Sequence, residues 1–440
     1  MRSRWRSWTA PVESAFALQV GLTLLGRSAS LILSLATTAM TARWLGPGGK
    51  GELAILLLVP STMQLILSAG ISTANTYYAG ATRLSVAQLS SNSGAFALLG
   101  TCAGGGLALL LLKMGALSSL LPGIPAPYLA LALLALPLGI MSENIYGILA
   151  GLGRISVLNM LSVGQTALIV ALTALCVVRL KLGVPGAVAA WVAAQSASLL
   201  AAAWCVKREG GGFRPRWDPR VVGPTLRFGL KGYIGNMLQF LSFRLDAYLL
   251  LYFLGPVSVG VYAASVSLAE LLWQLPNAAG FVLFPKAVNS SPETMNQLTP
   301  RVFWIVLGVS AIGAAGLAAF GKLAIRLIFS GTYADAYLPL LALLPGVVLM
   351  GASRILFNDI TGRGYPHYNS VIAGLTFAAT ALLDLFLIPR NGVLGAAAAS
   401  TLSYAFNFVL SVGFYLAVSR GLAGRGIADR HAAQVEATAA

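Results

Sequence analysis

The sequence predicts an all-α polytopic membrane protein with about twelve transmembrane helices in two six-helix lobes. The first observation is composition: of 440 residues, 57% are hydrophobic and only 10% are charged, whereas soluble domains carry roughly 25% charged residues. The second is a series of apolar runs of about 20 residues, the length that crosses ~30 Å of hydrocarbon. The third is a repeat, because "LGPGGKGELA" at 45–54 returns as "LGPVSVGVYA" at 254–263, an offset of 209.

The apolar runs set the order of helices and the domain boundaries. Their predicted positions are 16–42, 51–80, 92–113, 128–150, 157–179, 184–206, 228–254, 258–286, 301–321, 337–361, 366–388 and 392–419. The predicted parts are a cytoplasmic N-terminal segment at 1–15, an N-lobe at 16–206, a basic cytoplasmic linker at 207–227, a C-lobe at 228–419 and a disordered cytoplasmic tail at 420–440.

Basic residues in the loops orient the chain. With a cytoplasmic N-terminus, seventeen of the 29 Lys and Arg residues fall on the inside and eight on the outside. This is the positive-inside pattern of a multi-pass protein with both termini in the cytoplasm. It also accounts for the net charge of +16, because the basic residues are spread over many loops, and a nucleic-acid surface would cluster them on one face.

The repeat extends beyond the first pair. "GVPGAVAA" at 183–190 and "GVLGAAAA" at 392–399 share the 209-residue offset, as do the "GR" pairs at 153–154 and 362–363. Six helices per lobe give both lobes one orientation, so the repeat is parallel, and transporters built this way bind substrate between their halves. Proline and glycine end a helix and permit a short turn, so each "LGPxxxGxxA" is predicted to join the first two helices of its lobe.

Three stretches together resemble a known family. "RWLGPGGKGELA", "FRLDAYLLLYFLGPVSVGVYAASVSLAELLWQLPNAAGFVLFP" and "GRGYPHYNSVIAGL" are similar to the Wzx-type polysaccharide flippases of the multidrug/oligosaccharidyl-lipid/polysaccharide (MOP) exporter superfamily. The resemblance covers about 20–420. It implies a MATE-like fold with a central cavity, in a bacterial inner membrane. It also implies translocation of lipid-pyrophosphate-linked oligosaccharide repeat units to the outer leaflet by alternating access between the lobes, for cell-surface polysaccharide biosynthesis such as lipopolysaccharide or exopolysaccharide. The implied partners are undecaprenyl-pyrophosphate-type lipid, membrane lipids and the polysaccharide polymerase.

Basic residues inside the spans are the candidates for holding the substrate, because a charge at mid-membrane costs at least ~2.5–3.5 kcal/mol. Arg27 lies near the middle of the first predicted helix, and Arg244 lies in the seventh. A guanidinium can grip a pyrophosphate with two parallel hydrogen bonds. Arg354 is assigned to the same cavity. A structural ion pair remains the alternative for each residue.

Acidic residues inside the spans are candidates for coupling or for ion pairs. Asp246 lies two residues after Arg244, so the two point to different faces and need separate partners. Glu270 is expected either to carry a coupling cation, H⁺ or Na⁺, or to pair with Arg244. Glu143 and Arg354 occupy nearly equivalent depths in the two lobes, and we expect them either to latch the cytoplasmic side or to be two independent interfacial charges. Asp359 and Asp384 lie near span ends and are predicted to be interfacial.

Other function classes fit less well. A cation-coupled multidrug exporter of the same superfamily and a lipid II-type flippase are the alternatives within transport. An enzyme is not expected, because none of the six aspartates forms a DxD pair and there are only two histidines. The three cysteines have no ligand-like spacing. We therefore expect no catalytic residues, no structural metal and no cofactor other than a coupling ion.

Overall fold

The computed structural model describes residues 6–115, 119–212, 214–215 and 217–421, and in these residues the regular structure is helical, with no strand. The α-helices are α1 (Arg6–Ser68), α2 (Ile71–Gly80), α3 (Val86–Lys113), α4 (Ala126–Leu133), α5 (Ala135–Gly151), α6 (Ile155–Thr173), α7 (Gly183–Arg208), α8 (Pro219–Ser242), α9 (Leu245–Leu254), α10 (Pro256–Ala269), α11 (Gln274–Asn289), α12 (Pro292–Ile328), α13 (Tyr337–Gly362) and α14 (Pro366–Ser419).

Within the described part of the chain, ten helical stretches are long and apolar enough to cross a membrane. Two of them are much longer than one crossing needs. The helix α1 contains a non-helical residue at Gly46 (φ 68°, ψ 179°), and α14 contains one at Gly392 (φ 60°, ψ −136°). Dividing α1 and α14 at these glycines gives twelve segments in the predicted order, so the predicted all-helical, twelve-segment fold class is confirmed.

The chain forms two compact units. Of the residues that the structure describes, those in Met1–Gly46, Ile55–Ser119 and Ile124–Lys231 form unit 1, and those in Pro47–Ala54, Leu120–Gly123 and Gly232–Ala440 form unit 2. Each unit has its own buried core. In unit 1 the core is centred on α5, with Ile145, Ile148 and Leu149 fully buried, and in unit 2 it is centred on α13, with Ile355 and Ile360 fully buried.

The two "LGP" stretches have the same backbone turn. Gly46 and Gly255, 209 residues apart, have φ values of 68° and 82° and ψ values of 179° and −179°. Such positive φ angles are readily adopted only by glycine. Each glycine is followed by a proline that begins the next helical segment, where a missing N–H costs no hydrogen bond. The predicted turn between the first two helices of each lobe is therefore observed.

The segment Pro47–Ala54 belongs to unit 2, because it crosses the start of α10 at very close range. A Cβ atom built on Gly51 would lie 1.7 Å from the carbonyl oxygen of Pro256, and one built on Gly260 would lie 1.9 Å from that of Pro47. The contact is reciprocal, since Pro47 and Pro256, like Gly51 and Gly260, are 209 positions apart. Only glycine lets the two backbones approach so closely.

The predicted single helix at 51–80 is wrong. The helix breaks between α1 and α2, where Ala69 and Gly70 have φ values of 47° and 72°. A Cβ on Gly70 would lie 2.5 Å from the carbonyl oxygen of Gly229 in α8. The break thus occurs where two backbones meet, a tertiary cause that an apolar run does not reveal.

Three helices begin well before their predicted starts. The first begins at Arg6 rather than at 16, the seventh at Pro219 rather than at 228, and the ninth at Pro292 rather than at 301. The predicted linker packs on unit 1: the carbonyl oxygen of Gly212 accepts hydrogen bonds from Ser90 and Ser91. The predicted disordered tail lies outside the described residues from position 422 onward.

Candidate functional site

The structure brings four of the six candidate residues into unit 2. These are Arg244, Asp246, Glu270 and Arg354, whereas Glu143 belongs to unit 1. Arg27 also belongs to unit 1, where its side chain is exposed on α1. The residues of unit 2 form two adjoining groups, an exposed basic cluster and a buried acidic pair.

The basic cluster begins at a second helix break. The helix α8 ends at Ser242 and α9 begins at Leu245, so Arg244 stands at the junction with non-helical angles (φ −132°, ψ −8°). Its Nη1 lies 3.3 Å from Oε1 of Glu270, and both side chains are about one-third exposed. Glu270 itself opens a short 3₁₀ turn, Glu270–Trp273, between α10 and α11. The ion pair with Arg244, one of the two alternatives for Glu270, is the arrangement in this structure.

Arg354 extends the cluster from α13. Its guanidinium donates a hydrogen bond to Oδ1 of Asn277 and lies 4.2 Å from the ring centroid of Trp273. Trp273 is fixed by its own bond from Nε1 to the carbonyl oxygen of Val347, 3.0 Å. The rings of Phe243 and Tyr404 pack against the same indole, with centroids 5.2 and 6.2 Å away. The arginine therefore rests on a rigid aromatic base, an arrangement that cation–π attraction favours.

The guanidinium groups of the cluster keep hydrogen-bonding capacity. Arg244 pairs with Glu270 and also interacts electrostatically with the buried Asp246, and Arg354 donates to the neutral amide of Asn277. Each guanidinium has five N–H donors in a planar fork, and one acceptor partner leaves most of them free. The arrangement can hold an anion with several oxygens, and phosphate oxygens match the fork geometry.

The acidic pair lies deeper in unit 2. Asp246 is 3% exposed and accepts hydrogen bonds from the hydroxyl of Tyr262, from Ser400 Oγ at 3.2 Å and from the backbone N–H of Ala247 at 2.7 Å. Asp384 of α14 is fully buried, and neither of its carboxylate oxygens has a hydrogen-bond partner. The two carboxylates are close enough to interact electrostatically.

Asp384 and Asp359 are both fully buried inside the protein, and their expected place at the membrane interface stays a prediction. Asp359 has partners: it accepts from Thr299 Oγ1 at 2.9 Å and pairs with Arg363 at 2.8 Å. A charged residue inside an apolar run was the available signal for Asp384. Its position near the predicted end of a span suggested the membrane interface. The sequence does not show that the helix face carrying Asp384 points into the unit.

Glu143 is held by neutral donors in unit 1. Its Oε2 accepts hydrogen bonds from Gln64 Nε2 and from Ser68 Oγ, both at 3.0 Å. Ser68 is the last residue of α1, so Glu143 lies beside the helix break at Ala69. Among the described residues, no Lys, Arg or His side chain forms an ion pair with Glu143. The latch between Glu143 and Arg354 stays a prediction.

This fold occurs in solved structures of membrane flippases and transporters. Over 90% of each chain, the structure is similar to the lipid II flippase MurJ in an inward closed conformation, with a TM-score of 0.73 and 14% sequence identity. It is also similar to an inward-facing multidrug resistance MATE family transporter of the MOP superfamily, with a TM-score of 0.66 and 15% identity over 90% of this chain and 97% of that one. The fold is therefore the one found in these flippase and transporter structures.

A family model described as "Polysaccharide biosynthesis protein" matches residues 17–290. Because this match covers more than half of the chain, the protein belongs to that family, and the resemblance drawn from the sequence is confirmed at the level of family and fold. A further relative is the uncharacterized membrane protein MJ1068 of Methanocaldococcus jannaschii, 24% identical over 200 residues and 44% of this chain. The match spans 39% of that relative's length.

Proposed function

We propose that the protein is a flippase that moves lipid-pyrophosphate-linked oligosaccharide repeat units from the cytoplasmic to the outer leaflet of a bacterial inner membrane. The observation that carries the proposal is the basic cluster of unit 2, where the guanidinium groups of Arg244 and Arg354 lie partly exposed within a membrane-spanning unit. A charged side chain inside a membrane is costly, so such arginines mark a site for an anionic substrate. Membership in the polysaccharide biosynthesis family supports a saccharide-bearing anion, and the MOP fold supports alternating access.

The roles of the side chains follow from their contacts. Arg244 and Arg354 of unit 2 bind the pyrophosphate, and Arg27, exposed on α1 of unit 1, is a separate candidate for contact with the anionic substrate. Glu270 neutralises Arg244 while no substrate is bound and competes with the phosphate oxygens for it. The aromatic base under Arg354 keeps the guanidinium in place, so little side-chain entropy is lost on binding.

A coupling cation has a separate place in this proposal. The carboxylates of Asp246 and Asp384 would hold it, because Asp384 is buried with both oxygens unsatisfied, and an unpaired buried carboxylate is costly. Sodium is a hard cation that prefers oxygen ligands, and a proton bound to one carboxylate satisfies the same need. The cation supplies the positive charge that the pair lacks. Undecaprenyl-pyrophosphate-type lipid is the substrate carrier, and the polysaccharide polymerase is the partner that receives the product.

Reconstitution into liposomes tests the proposal. A lipid-pyrophosphate oligosaccharide is placed in one leaflet, and its appearance in the other is followed for the wild type, Arg27→Ala and Arg244→Ala. Arg390→Ala serves as the matched control, because Arg390 bonds only to the carbonyl oxygen of Phe386 in its own helix, 2.8 Å. We expect the wild type and the control to flip the lipid and the other two variants to be at least about tenfold slower.

Two results would contradict the proposal. Equal rates for Arg244→Ala and the wild type would remove the phosphate role of the basic cluster. A wild type that leaves the lipid in place, but moves a small organic cation against a proton or sodium gradient, is a multidrug exporter. Running lipid II beside the oligosaccharide distinguishes a lipid II-type flippase by its preferred substrate.

A further inference from the structure

An aromatic stack at the end of α2 in unit 1 remains without a role in the proposed function. The rings of Tyr77 and Phe228 are stacked, with centroids 4.5 Å apart and an interplanar angle of 17°. Tyr78 meets both rings edge-on, at 5.2 and 5.9 Å. The guanidinium of Arg83 stands over the open face of Tyr77, 5.6 Å from its centroid. Tyr77 is 39% exposed, and Arg83 is exposed too.

The stack is held rigidly by backbone contacts on both sides. Next to Phe228, Gly229 of α8 meets Gly70, where a Cβ would lie 2.5 Å from the carbonyl oxygen of Gly229. On the opposite side, Thr76 Oγ1 donates a hydrogen bond of 3.0 Å to the carbonyl oxygen of Gly147 in α5. The helix α2 is therefore clamped between two neighbours. Groups held in place before a ligand arrives bind it at a lower entropic cost.

The turn that carries Arg83 is strained. Thr82 has a φ of 51°, a left-handed conformation that is unfavourable for a β-branched residue. The N–H of Arg83 then bonds back to the carbonyl oxygen of Tyr78, 3.2 Å. This turn directs the arginine back over the ring of Tyr77. Strain of this kind, about 1–3 kcal/mol, concentrates at functional positions.

Arg83 has no acidic partner among the described side chains. Three acidic side chains are described in unit 1, and each has another partner: Glu143 accepts from Gln64 and Ser68, Glu209 pairs with Arg154 at 2.6 Å, and Asp218 accepts from the backbone N–H of Arg220 at 2.9 Å. The N–H donors of Arg83 therefore stand free beside an exposed aromatic face.

We propose that Tyr77, Phe228 and Arg83 form a sugar-phosphate binding site. Arg83 would leave the open face of Tyr77 to bind the phosphate of the ligand. The uncovered face of Tyr77 would then stack on the apolar face of the adjoining pyranose ring, as aromatic side chains do with flat ligands. By the positive-inside pattern, this end of unit 1 is cytoplasmic, so the site would load the substrate before translocation. The proposal rests on the proposed flippase function and adds a second saccharide contact, separate from the basic cluster of unit 2.

The site differs from an ordinary interfacial aromatic residue. Tyrosines commonly lie at membrane–water interfaces without binding anything. Arg390 and Phe386 of unit 2 show what such a pair looks like: the guanidinium lies 3.8 Å from the ring centroid, but its Nη1 donates to the carbonyl oxygen of Phe386 itself. The guanidinium N–H groups of Arg83, in contrast, are available to bind a ligand. The Arg390 pair therefore provides a matched control.

Binding to the full chain in detergent tests the site. The probes are farnesyl pyrophosphate joined to a disaccharide, farnesyl pyrophosphate alone and the free disaccharide, measured by calorimetry. We expect Arg83→Gln to weaken both pyrophosphate probes about tenfold. Tyr77→Leu should weaken the sugar-bearing probe about fivefold and leave farnesyl pyrophosphate unchanged. Arg390→Gln and Phe386→Leu should match the wild type.

Three results would overturn the site. The first is wild-type affinity of Arg83→Gln for the pyrophosphate probes, and the second is a loss of affinity in Arg390→Gln as large as that in Arg83→Gln. The third is a loss of affinity in Tyr77→Leu that is the same for the probes with and without the sugar. Transport separates this proposal from the flippase itself. In liposomes Arg83→Gln should raise the substrate concentration needed for half-maximal flipping and leave the maximal rate unchanged. Flipping that is indifferent to Arg83 overturns the site and leaves the flippase function standing. Binding as expected with no flipping by the wild type supports the site and overturns the function.

Discussion

The mid-helix carboxylate of Glu143 in unit 1 and the carboxylate of Glu270 in unit 2 have partners of different charge. In unit 1 the mid-helix carboxylate of Glu143 is surrounded by neutral donors, the amide of Gln64 and the hydroxyl of Ser68. In unit 2 the carboxylate of Glu270 lies 3.3 Å from Arg244 and interacts electrostatically with Arg354. Yet the backbone repeats between the two halves of the chain, at Gly46 and Gly255 and again at Gly183 and Gly392, which all have positive φ. The scaffold is thus repeated and the chemistry is not.

This difference shows where function resides in a repeated fold. The turns that recur are backbone features that depend on glycine and proline. Their geometry does not depend on which substrate the protein binds. The candidate charges are not repeated, since the position 209 residues before Arg244 is Leu35 and the position 209 residues after Glu143 is Ala352. Function follows from the site rather than from the fold. The following predictions test the repeated scaffold first and then the charges that differ.

The largest effect is expected where the two repeated turns cross. Gly51→Ala places a Cβ 1.7 Å from the carbonyl oxygen of Pro256, a clash that only a backbone shift can relieve. We expect a loss of about 3 kcal/mol and a fall in the melting temperature of at least about 5 °C for the detergent-purified protein. Gly48→Ala is the control, because its Cβ would meet Val257 at an ordinary 3.6 Å. Equal stability of the two variants would show that the crossing is not tight.

A smaller effect is expected at the acidic pair of unit 2. If a cation binds at Asp246 and Asp384, sodium chloride should stabilise the wild type relative to choline chloride, by about 2.7 kcal/mol at a hundredfold excess over the dissociation constant. Asp384→Asn should abolish the dependence. Asp335→Asn, at an exposed position of the same unit, should retain it. If the melting temperature of the wild type does not depend on sodium but does depend on pH, and Asp384→Asn removes the pH dependence, the coupling ion is the proton.

The smallest effect is expected from the predicted latch. Because Arg354 also binds substrate, the comparison is with Arg354→Glu alone: adding Glu143→Arg to it should raise the rate of flipping by about fivefold, or about 1 kcal/mol of coupling. The rate in liposomes measures it. Glu143→Arg combined with Arg390→Glu is the control and should show no rescue. Additive losses in the double exchange would mean that the two charges act independently.

Much of the fold follows from the sequence, because each of its signals is local. Apolar length defines a span wherever it occurs, so twelve segments could be counted. Glycine and proline define a turn within a few residues, so the turns at the two "LGP" stretches could be predicted. The pairing of Arg244 with Glu270 was foreseeable as one of two alternatives, since each charge needs a partner in a membrane.

The helix breaks and the buried aspartates were not predictable for a common reason. The breaks at Ala69 and Arg244 lie inside apolar runs, and at least the first depends on a backbone contact with Gly229, about 160 positions away. The burial of Asp384 depends on which face of α14 packs inward, and a helix in a membrane is apolar on both its lipid side and its packed side. Hydropathy cannot separate these sides.

The placement of Pro47–Ala54 in unit 2 has a consequence for synthesis of the protein. These residues leave the ribosome early, but the backbone they cross at Pro256 and Gly260 is made 209 residues later. At about 5–20 residues per second, the first helical pair waits roughly 10–40 s for its counterpart. During that interval Gly51 lacks the backbone of Pro256 and Gly260 that it contacts in the complete chain. This crossing therefore forms only after the start of α10 has been synthesised.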